Sequence, residues 1–431
     1  MKKCLPYFIV FLFLYSCSPA KQISKTAHKN VINSAALANA HIGISVYEPA
    51  TGKWWYNYQG DKYFVPARNT KLATCYAAMK YLGDSLVGAK YFIEDRALIF
   101  ESAGDPTFLH PDFKNQPFYN FLVNNNFKSI SIFTRFNAEP LGSGWAWNDY
   151  NETYMPERDP FPIYGNLATF TFKDTLAVIP KTFQSNVISR PIKNKPWSVE
   201  RLIGENGFII DNEHGSTSSV KSVPIAMGKG LYASIFLSDT LHKKVSNYPF
   251  PLEKGKAINF HSQPTDTFLK ITMHRSDNFF AEQSLLMVSN ERLGFMSDAK
   301  IIDTLLKTDF KDLPQKPRWA DGSGLSRYNL FTPQDFVAIL NKMRTEFGME
   351  RIKNILATGN TGTLTNYYKA DSTFIFAKTG TLSGVVALSG YLYTKQNKLL
   401  LFSVLVNNHN SSATEVRRTV EKFIEGIRNK Y

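Results

Sequence analysis

Three short polar segments of the sequence carry residue types that together could perform serine acyl transfer. They are residues 68–71 (Arg-Asn-Thr-Lys), 276–278 (Ser-Asp-Asn) and 378–380 (Lys-Thr-Gly). This chemistry needs a nucleophile with a nearby base, a hydroxyl that relays a proton to the leaving amine, and cations for a substrate carboxylate. It also needs backbone N–H groups aimed at the oxyanion, for which a glycine on a strand leaves room.

Each segment is weak evidence when it is taken alone. A Ser-x-x-Lys turn places a hydroxyl and an amine on one face of a helix, but the sequence contains three accidental Ser-x-x-Lys strings, which begin at Ser18, Ser218 and Ser297. A Ser-Asp-Asn string is more often a helix cap, and Lys-Thr-Gly is more often the end of a strand. The order of the three segments, their spacing and their flanking residues make the set specific.

Arg68 stands where this chemistry needs a hydroxyl. Arginine stays protonated and cannot attack a carbonyl, so no acyl-enzyme is expected at residue 68. Its charge near a helix start and near Lys71 favours either a neutral Lys71 or an anionic partner, such as a carboxylate or a phosphate, between the two. Thr70 should point away from Lys71, which leaves Ser276 as another hydroxyl in the site. Alternatively, Arg68 reflects loss of function in a retained fold.

The elements that must position these segments follow from apolar periodicity and turn residues. Strands on either side of a turn with Pro49 and Gly52 predict a β-hairpin, and a helix should begin close to Arg68. Three further strands are predicted over residues 374–381, 385–393 and 399–407, and further helices over 276–293, 332–346 and from Thr414. We expect one antiparallel sheet of the hairpin and these strands, covered by the first and last helices, in an α/β (α+β) fold.

The middle of the chain has a different pattern of apolar and turn residues. Residues 83–262 hold short β-like runs that are broken by Pro, Asn and Gly, without a long helical pattern. We therefore predict a β-rich insertion there, which forms one domain or two small lobes. The main domain would then consist of residues 34–82 plus 263–431.

The N-terminus is typical of an export signal. Lys2 and Lys3 precede an apolar run over residues 5–14 that is too short to span a bilayer. Residues 14–17 (Leu-Tyr-Ser-Cys) match a lipoprotein cleavage box, which predicts a signal peptide over residues 1–16 and lipidation of Cys17. An uncleaved anchor or an ordinary signal peptide is the alternative. The polar residues 17–33 predict a solvated tether.

Composition and charge exclude several other classes. With 43% hydrophobic and 20% charged residues, the chain is globular rather than disordered. A net charge of +14 could draw it to anionic lipids or acidic wall polymers. The lysines are scattered and form no basic helix, which argues against binding of nucleic acid. The histidines are dispersed, so no metal site is predicted, and we expect no other cofactor. Cys75 lies in an apolar helical pattern and is expected in the core.

Around the three segments, further stretches resemble the D-alanyl-D-alanine carboxypeptidase/endopeptidase family, the low-molecular-mass class C penicillin-binding proteins. The matching stretches span nearly the whole chain after the signal: residues 66–72 (Pro-Ala-x-Asn-Thr-Lys-Leu), 104–107 (Gly-Asp-Pro-Thr), 144–149 (Gly-Trp-x-Trp-x-Asp), 276–282 (Ser-Asp-Asn-x-x-Ala-Glu), 321–327 (Asp-Gly-Ser-Gly-Leu-Ser-Arg), 362–364 (Gly-Thr-Leu) and 377–381 (Ala-Lys-Thr-Gly-Thr). The long gap between Lys71 and Ser276 also resembles this family, which inserts domains there, whereas class A β-lactamases keep these motifs closer. The resemblance implies a penicillin-binding (transpeptidase-like) domain related to serine β-lactamases.

The resemblance also implies a role for each matching residue. Lys71 falls at the position of the general base, and Ser276 and Asn278 fall at the proton-relay and substrate-amide positions. The substrate-binding strand matches at Lys378 and Thr379, which would hold the substrate carboxylate, at Gly380, and at Thr381, whose N–H would be an oxyanion donor. Arg68 occupies the position of the nucleophilic serine.

Two classes of function remain open at this point. The chain is either a catalytically impaired protein that binds the cell wall, or an active serine-type D-Ala-D-Ala carboxypeptidase/endopeptidase with another nucleophile. The resemblance implies peptidoglycan stem peptides as the ligand in both cases, while a general esterase or β-lactamase has only the shared fold behind it. A lipid-anchored envelope location is expected. Residues 18–21 lack an acidic sorting residue, which favours the outer membrane facing the periplasm.

Overall fold

A computed structural model of the chain describes residues 19–172, 175–192, 196–211, 219–253 and 255–431. Its α-helices are Pro19–Ala27 (α1), Lys71–Tyr81 (α2), Pro117–Asn124 (α3), Ala233–Leu241 (α4), Thr265–Arg275 (α5), Asn278–Leu293 (α6), Asp298–Lys307 (α7), Pro333–Phe347 (α8), Met349–Ile355 (α9) and Ala413–Lys430 (α10). None of the helices in this part of the chain has the length and apolar character to cross a membrane. The predicted signal peptide and Cys17 lie outside the described residues.

The strands follow the chain in the same way. They are His41–Glu48 (β1), Lys53–Tyr58 (β2), Ser85–Glu94 (β3), Ala97–Ser102 (β4), Ser129–Phe133 (β5), Leu167–Phe172 (β6), Leu176–Ile179 (β7), Val187–Arg190 (β8), Ser198–Arg201 (β9), Phe208–Asp211 (β10), Ser219–Pro224 (β11), Val245–Asn247 (β12), Ile258–Pro264 (β13), Ala357–Thr358 (β14), Ile375–Leu382 (β15), Val385–Tyr393 (β16) and Leu399–Asn407 (β17).

The largest sheet has six strands in the order β14-β15-β16-β17-β1-β2, and every neighbouring pair is antiparallel. The N-terminal hairpin and the three C-terminal strands therefore share one antiparallel sheet, as predicted. Strands β16 and β17 read as nearly continuous apolar runs because both of their faces are covered. Among the described strands of this sheet, the two-residue strand β14 was the one not predicted.

Helices cover both faces of this sheet. Successive side chains of β17 alternate between the faces: Val404 and Val406 pack with α10, and Leu405 packs in the cluster that contains α2 and α8. As predicted, the last helix, α10, covers one face of the sheet. The other face is covered by α8, and α2, the helix expected there, packs in the same cluster. Cys75 of α2 is a free, buried cysteine, as expected.

The segment before β1 is packed, not a solvated tether. Helix α1 continues into a π-helical turn at His28–Ile32, and Ile23, Ala27 and Val31 are at most 1% exposed. Their spacing of four residues places them on one helix face, which packs in the same core as α10. The tether prediction for residues 17–33 is therefore wrong over the described part, because overall polarity concealed three apolar residues at helical spacing.

The middle of the chain forms three smaller sheets. Their strand orders are β12-β5-β4-β3-β13, β11-β6-β7 and β8-β10-β9, around a core rich in phenylalanine. The β-rich character expected for this stretch agrees with these sheets, while α3 and α4 were not predicted because each has fewer than ten residues. The domain boundaries at residues 83 and 262 stay a prediction.

Candidate functional site

The first polar segment forms the tight turn that leads into α2. A 3₁₀ turn at Ala67–Thr70 is followed directly by Lys71, the first residue of α2, so the helix starts where the sequence predicted. The Thr70 hydroxyl is buried and donates to the Ala67 carbonyl at 2.9 Å. The Asn69 amide donates to Ser389 Oγ at 2.7 Å, which ties the turn to β16. The Thr70 hydroxyl is therefore held by its own turn.

Lys71 is the buried cation at the centre of the site. Its Nζ donates to Asn278 Oδ1 and to the Ser323 carbonyl, both at 2.7 Å, and the residue is 1% exposed. Burial, followed by the charges of Lys378 and Arg68, holds the pKa of Lys71 well below its usual value. A lysine in these surroundings loses its proton readily, which is what a general base requires.

The second segment joins two helices. Ser276 caps the C-terminus of α5 in the left-handed conformation, with φ of 60°. Asp277 then caps α6, since its carboxylate accepts from the Phe280 N–H at 2.9 Å. Asn278 is the first residue of α6, and its Nδ2 donates to the Tyr154 carbonyl at 2.9 Å. One amide thus contacts both Lys71 and the loop that follows residue 150.

The third segment lies on β15 and closes the site. Lys378 Nζ donates to Ser276 Oγ at 2.8 Å and to the Thr379 carbonyl at 2.9 Å. Burial, with smaller effects from Arg68 and Arg417, lowers the pKa of Lys378 to about 7. A Cβ on Gly380 would lie 2.9 Å from the Pro66 carbonyl oxygen, so glycine allows β15 to pack against the 3₁₀ turn. The fold thus brings all three segments together.

Arg68 lies within this site and reaches across to β15. Its Nη1 donates to the Thr381 carbonyl, and its guanidinium lies 6.0 Å from the centre of the Tyr154 ring. Burial lowers the pKa of Arg68, and Tyr154 and Asp321 are the largest opposing influences, but the guanidinium stays charged. Among the described residues, no carboxylate forms an ion pair with Arg68, Lys71 or Lys378. The site therefore combines one charged guanidinium with two buried lysines whose pKa values are lowered.

The buried carboxylates of Asp321 and Glu282 form a hydrogen-bond network beside the site. Both residues lie in stretches that resemble the family, but the resemblance assigned them no role. The Asp321 carboxylate accepts from the N–H groups of Gly324 and Ser326, at 2.8 and 2.7 Å, and from the Trp145 indole at 2.9 Å. Glu282 accepts from the Ser323 N–H at 2.7 Å and thereby fixes the carbonyl that holds Lys71. Burial, followed by the charge of Asp321, raises the pKa of Glu282 to about 7. In the sequence, the polar residues of the 321–327 stretch were the signal that could have indicated this network.

Arg417 of α10 is a further site residue that sequence reasoning missed. Its Nη2 donates to Thr381 Oγ1 at 2.6 Å. In the sequence it is one of several basic residues in an amphipathic helix, so nothing set it apart before the fold was known.

Comparison with known proteins finds a family match along most of the chain. A sequence model described as the D-Ala-D-Ala carboxypeptidase 3 (S13) family matches residues 25–185 and 238–430. The D-alanyl-D-alanine carboxypeptidase of Actinomadura sp. (strain R39) is 24% identical over 440 residues, which cover 89% of this chain and 80% of that relative.

Solved structures share the architecture. Penicillin binding protein 4 (dacB) from Haemophilus influenzae is similar with a TM-score of 0.73 and 19% identity, covering 94% of this chain and 98% of that chain. A predatory endopeptidase from Bdellovibrio bacteriovorus, solved in complex with an immunity protein, is similar with a TM-score of 0.52 and 15% identity, covering 91% and 96% of the two chains. At these identities the similarity establishes the fold, and it confirms the fold expected from the sequence.

Proposed function

Since the chain belongs to the D-Ala-D-Ala carboxypeptidase 3 (S13) family, we propose that it binds peptidoglycan stem peptides ending in D-Ala-D-Ala without forming an acyl-enzyme at residue 68. The observation that carries this proposal is an assembled pocket around a residue that cannot be a nucleophile. Lys71 donates to Asn278 at 2.7 Å and Lys378 donates to Ser276 at 2.8 Å, while Arg68 lies at the position to which the family resemblance assigns the nucleophile.

The proposed roles follow from the chemistry of each group. In an active relative of this arrangement, Lys71 would take the proton of a serine at position 68, and Ser276 would pass a proton to the leaving D-alanine. Lys378, Thr379, Gly380 and the N–H of Thr381 would receive the terminal carboxylate and the scissile carbonyl. In this chain the first step lacks its hydroxyl, so the remaining groups can hold a peptide but cannot acylate.

Covalent labelling with a fluorescent penicillin tests this proposal. We expect no label on the wild-type protein and a stable label on Arg68→Ser, because the substitution supplies a hydroxyl beside Lys71. Arg68→Ala is the matched control: it removes the same cation without adding a nucleophile, and it should stay unlabelled. A labelled wild type would refute the assignment, and an unlabelled, folded Arg68→Ser variant would show that the pocket is not competent.

The alternative function is an active serine-type peptidase with another nucleophile. One observation favours it: the Ser276 hydroxyl lies 2.8 Å from Lys378 Nζ, whose pKa is lowered to about 7. A neutral lysine beside a serine hydroxyl is a possible base–nucleophile pair. The same labelling experiment separates the two functions, since this alternative requires a labelled wild type whose label disappears in Ser276→Ala and maps to residue 276.

We also propose that the protein acts in the cell envelope, anchored through a lipid on Cys17. The apolar run and the Leu-Tyr-Ser-Cys box at residues 14–17 support this, as does a family that acts on the cell wall. An outer-membrane anchor that faces the periplasm is the arrangement favoured by residues 18–21.

A further inference from the structure

Arg417 combines a fixed position with unused hydrogen-bond donors. It projects from α10, and its Nη2 donates to Thr381 Oγ1 at 2.6 Å. Its Nε is buried and has no partner among the described residues, and no carboxylate in that part of the chain pairs with its charge. Because a guanidinium has five N–H donors, most of its capacity remains for a ligand.

A small cavity lies beside the Arg417 side chain. Arg417, Thr379 and Thr363 line it, and the other walls are apolar: Leu364, Tyr367, Tyr368, Val386, Ala387, Leu388 and Val420. The Thr363 hydroxyl is also buried without a partner in the described part of the chain. The cavity volume of about 20 Å³ has room for roughly one water-sized group. The Arg417 and Thr363 side chains thus each bring a buried donor without a partner to the lining of one cavity, and such donors are unfavourable unless a ligand satisfies them.

Two arginines bracket Thr381 on β15. Arg68 donates to its carbonyl, and Arg417 donates to its hydroxyl. After burial, the charges of both arginines lower the pKa of the nearby Lys378, so both guanidinium groups act on this part of β15. The described residues supply no anion to separate them. A ligand that brings a negative charge to this strand would remove the repulsion.

We propose that Arg417 and Thr363 form an anion subsite that takes one oxygen of a peptide's terminal carboxylate, beside Thr379 and Thr381. The inference rests on the proposed function for the identity of the peptide, and it adds two residues to which the family resemblance assigns no ligand role. The chemistry is that of a guanidinium, whose planar donors match a carboxylate better than an ammonium does.

Isothermal titration with two probes tests the subsite. The probes are diacetyl-L-Lys-D-Ala-D-Ala and the same peptide with a C-terminal carboxamide. For the wild type, we expect the acid to bind more tightly than the amide. Arg417→Gln should weaken acid binding about 10- to 100-fold, the range for a lost charge-assisted hydrogen bond, and change amide binding little. Arg417→Lys should fall between, since it keeps the charge without the planar fork.

Lys422→Gln is the matched control. Lys422 is exposed on the same helix, so this variant removes an equal charge without touching the cavity and should bind both peptides like the wild type. If Arg417→Gln loses the same factor for acid and amide, or loses nothing, the subsite is refuted while the proposed function stands. If the wild type binds neither probe, the proposed function itself fails. Should Arg417→Gln not fold, the acid-to-amide ratio of Arg417→Lys decides in its place.

Discussion

Gly324, in the Asp-Gly-Ser-Gly stretch, packs its backbone directly against the turn that carries Arg68. Its φ is +76°, and a Cβ at this position would lie 1.9 Å from the Ala67 carbonyl oxygen and 2.6 Å from the Ala67 carbonyl carbon. Both atoms belong to the backbone, so no side chain can rotate to make room. The same carbonyl accepts the hydrogen bond from the Thr70 hydroxyl. Gly324→Ala should therefore disturb both folding and the site.

The expected cost has two parts. A non-glycine residue in the left-handed conformation costs about 1–2 kcal/mol. Ordinary contacts of a Cβ begin at 3.4 Å, so relieving the contact with Ala67 requires a shift of about 1.5 Å, and such overpacking costs about 1–3 kcal/mol. We therefore expect Gly324→Ala to lower the free energy of unfolding by about 2–5 kcal/mol.

Gly294→Ala provides the matched control. Gly294 caps α6 with φ of 79° and has no atom within 4 Å of the position of a Cβ, so this variant carries only the conformational cost. Urea unfolding of both variants would measure the difference, which isolates the contact with Ala67. In an Arg68→Ser background, labelling by penicillin should also fall with Gly324→Ala and persist with Gly294→Ala. Equal destabilisation by the two substitutions would refute the argument that this contact positions the turn.

The remaining predictions concern Lys378 and Cys17. Because the pKa of Lys378 falls from 10.5 to about 7 on folding, its buried ammonium destabilises the protein below that pH, and the penalty disappears as the pH rises from about 7 toward 10.5. Lys378→Met should thus gain most over the wild type near pH 6 and progressively less near pH 9 in urea unfolding, whereas a gain independent of pH would contradict the lowered pKa. Cys17→Ser should abolish incorporation of an alkyne-labelled fatty acid in cells and release the protein from the membrane fraction, and incorporation by the variant would place the lipid elsewhere.

Most of the sheet that carries the site could be predicted because its strands are covered on both faces. Burial requires long apolar runs there, and β16 and β17 have the bounds expected from the sequence, residues 385–393 and 399–407. Helix α1 could not be predicted in the same way. Its few apolar residues acquire meaning only when α10 offers them a surface, and that pairing joins opposite ends of the chain.

The residues of the site also differ in whether the sequence alone could identify them. Residues of short, ordered motifs, such as Lys71 and Lys378, were recognisable because their types and flanks are specific. Arg417 was not, since its contact with Thr381 depends on how α10 lies over β15. The carbonyl of Ser323 could not be singled out either, because a backbone oxygen leaves no mark in the sequence and becomes a ligand of Lys71 only through the fold.

The hydrogen bonds that hold the two buried lysines of the pocket do not involve residue 68. Lys71 is held by Asn278 and the Ser323 carbonyl, and Lys378 is held by Ser276, so none of these contacts uses residue 68. Arg68 instead donates its own hydrogen bond to the Thr381 carbonyl. Under the proposed function, arginine at position 68 leaves the reaction without its attacking hydroxyl and adds a positive charge to a pocket that already contains two buried lysines. If the pocket has only lost its activity, the added charge brings no advantage. If the pocket binds a carboxylate, the added charge strengthens that binding. The affinity for a peptide with a free terminal carboxylate therefore distinguishes the two explanations.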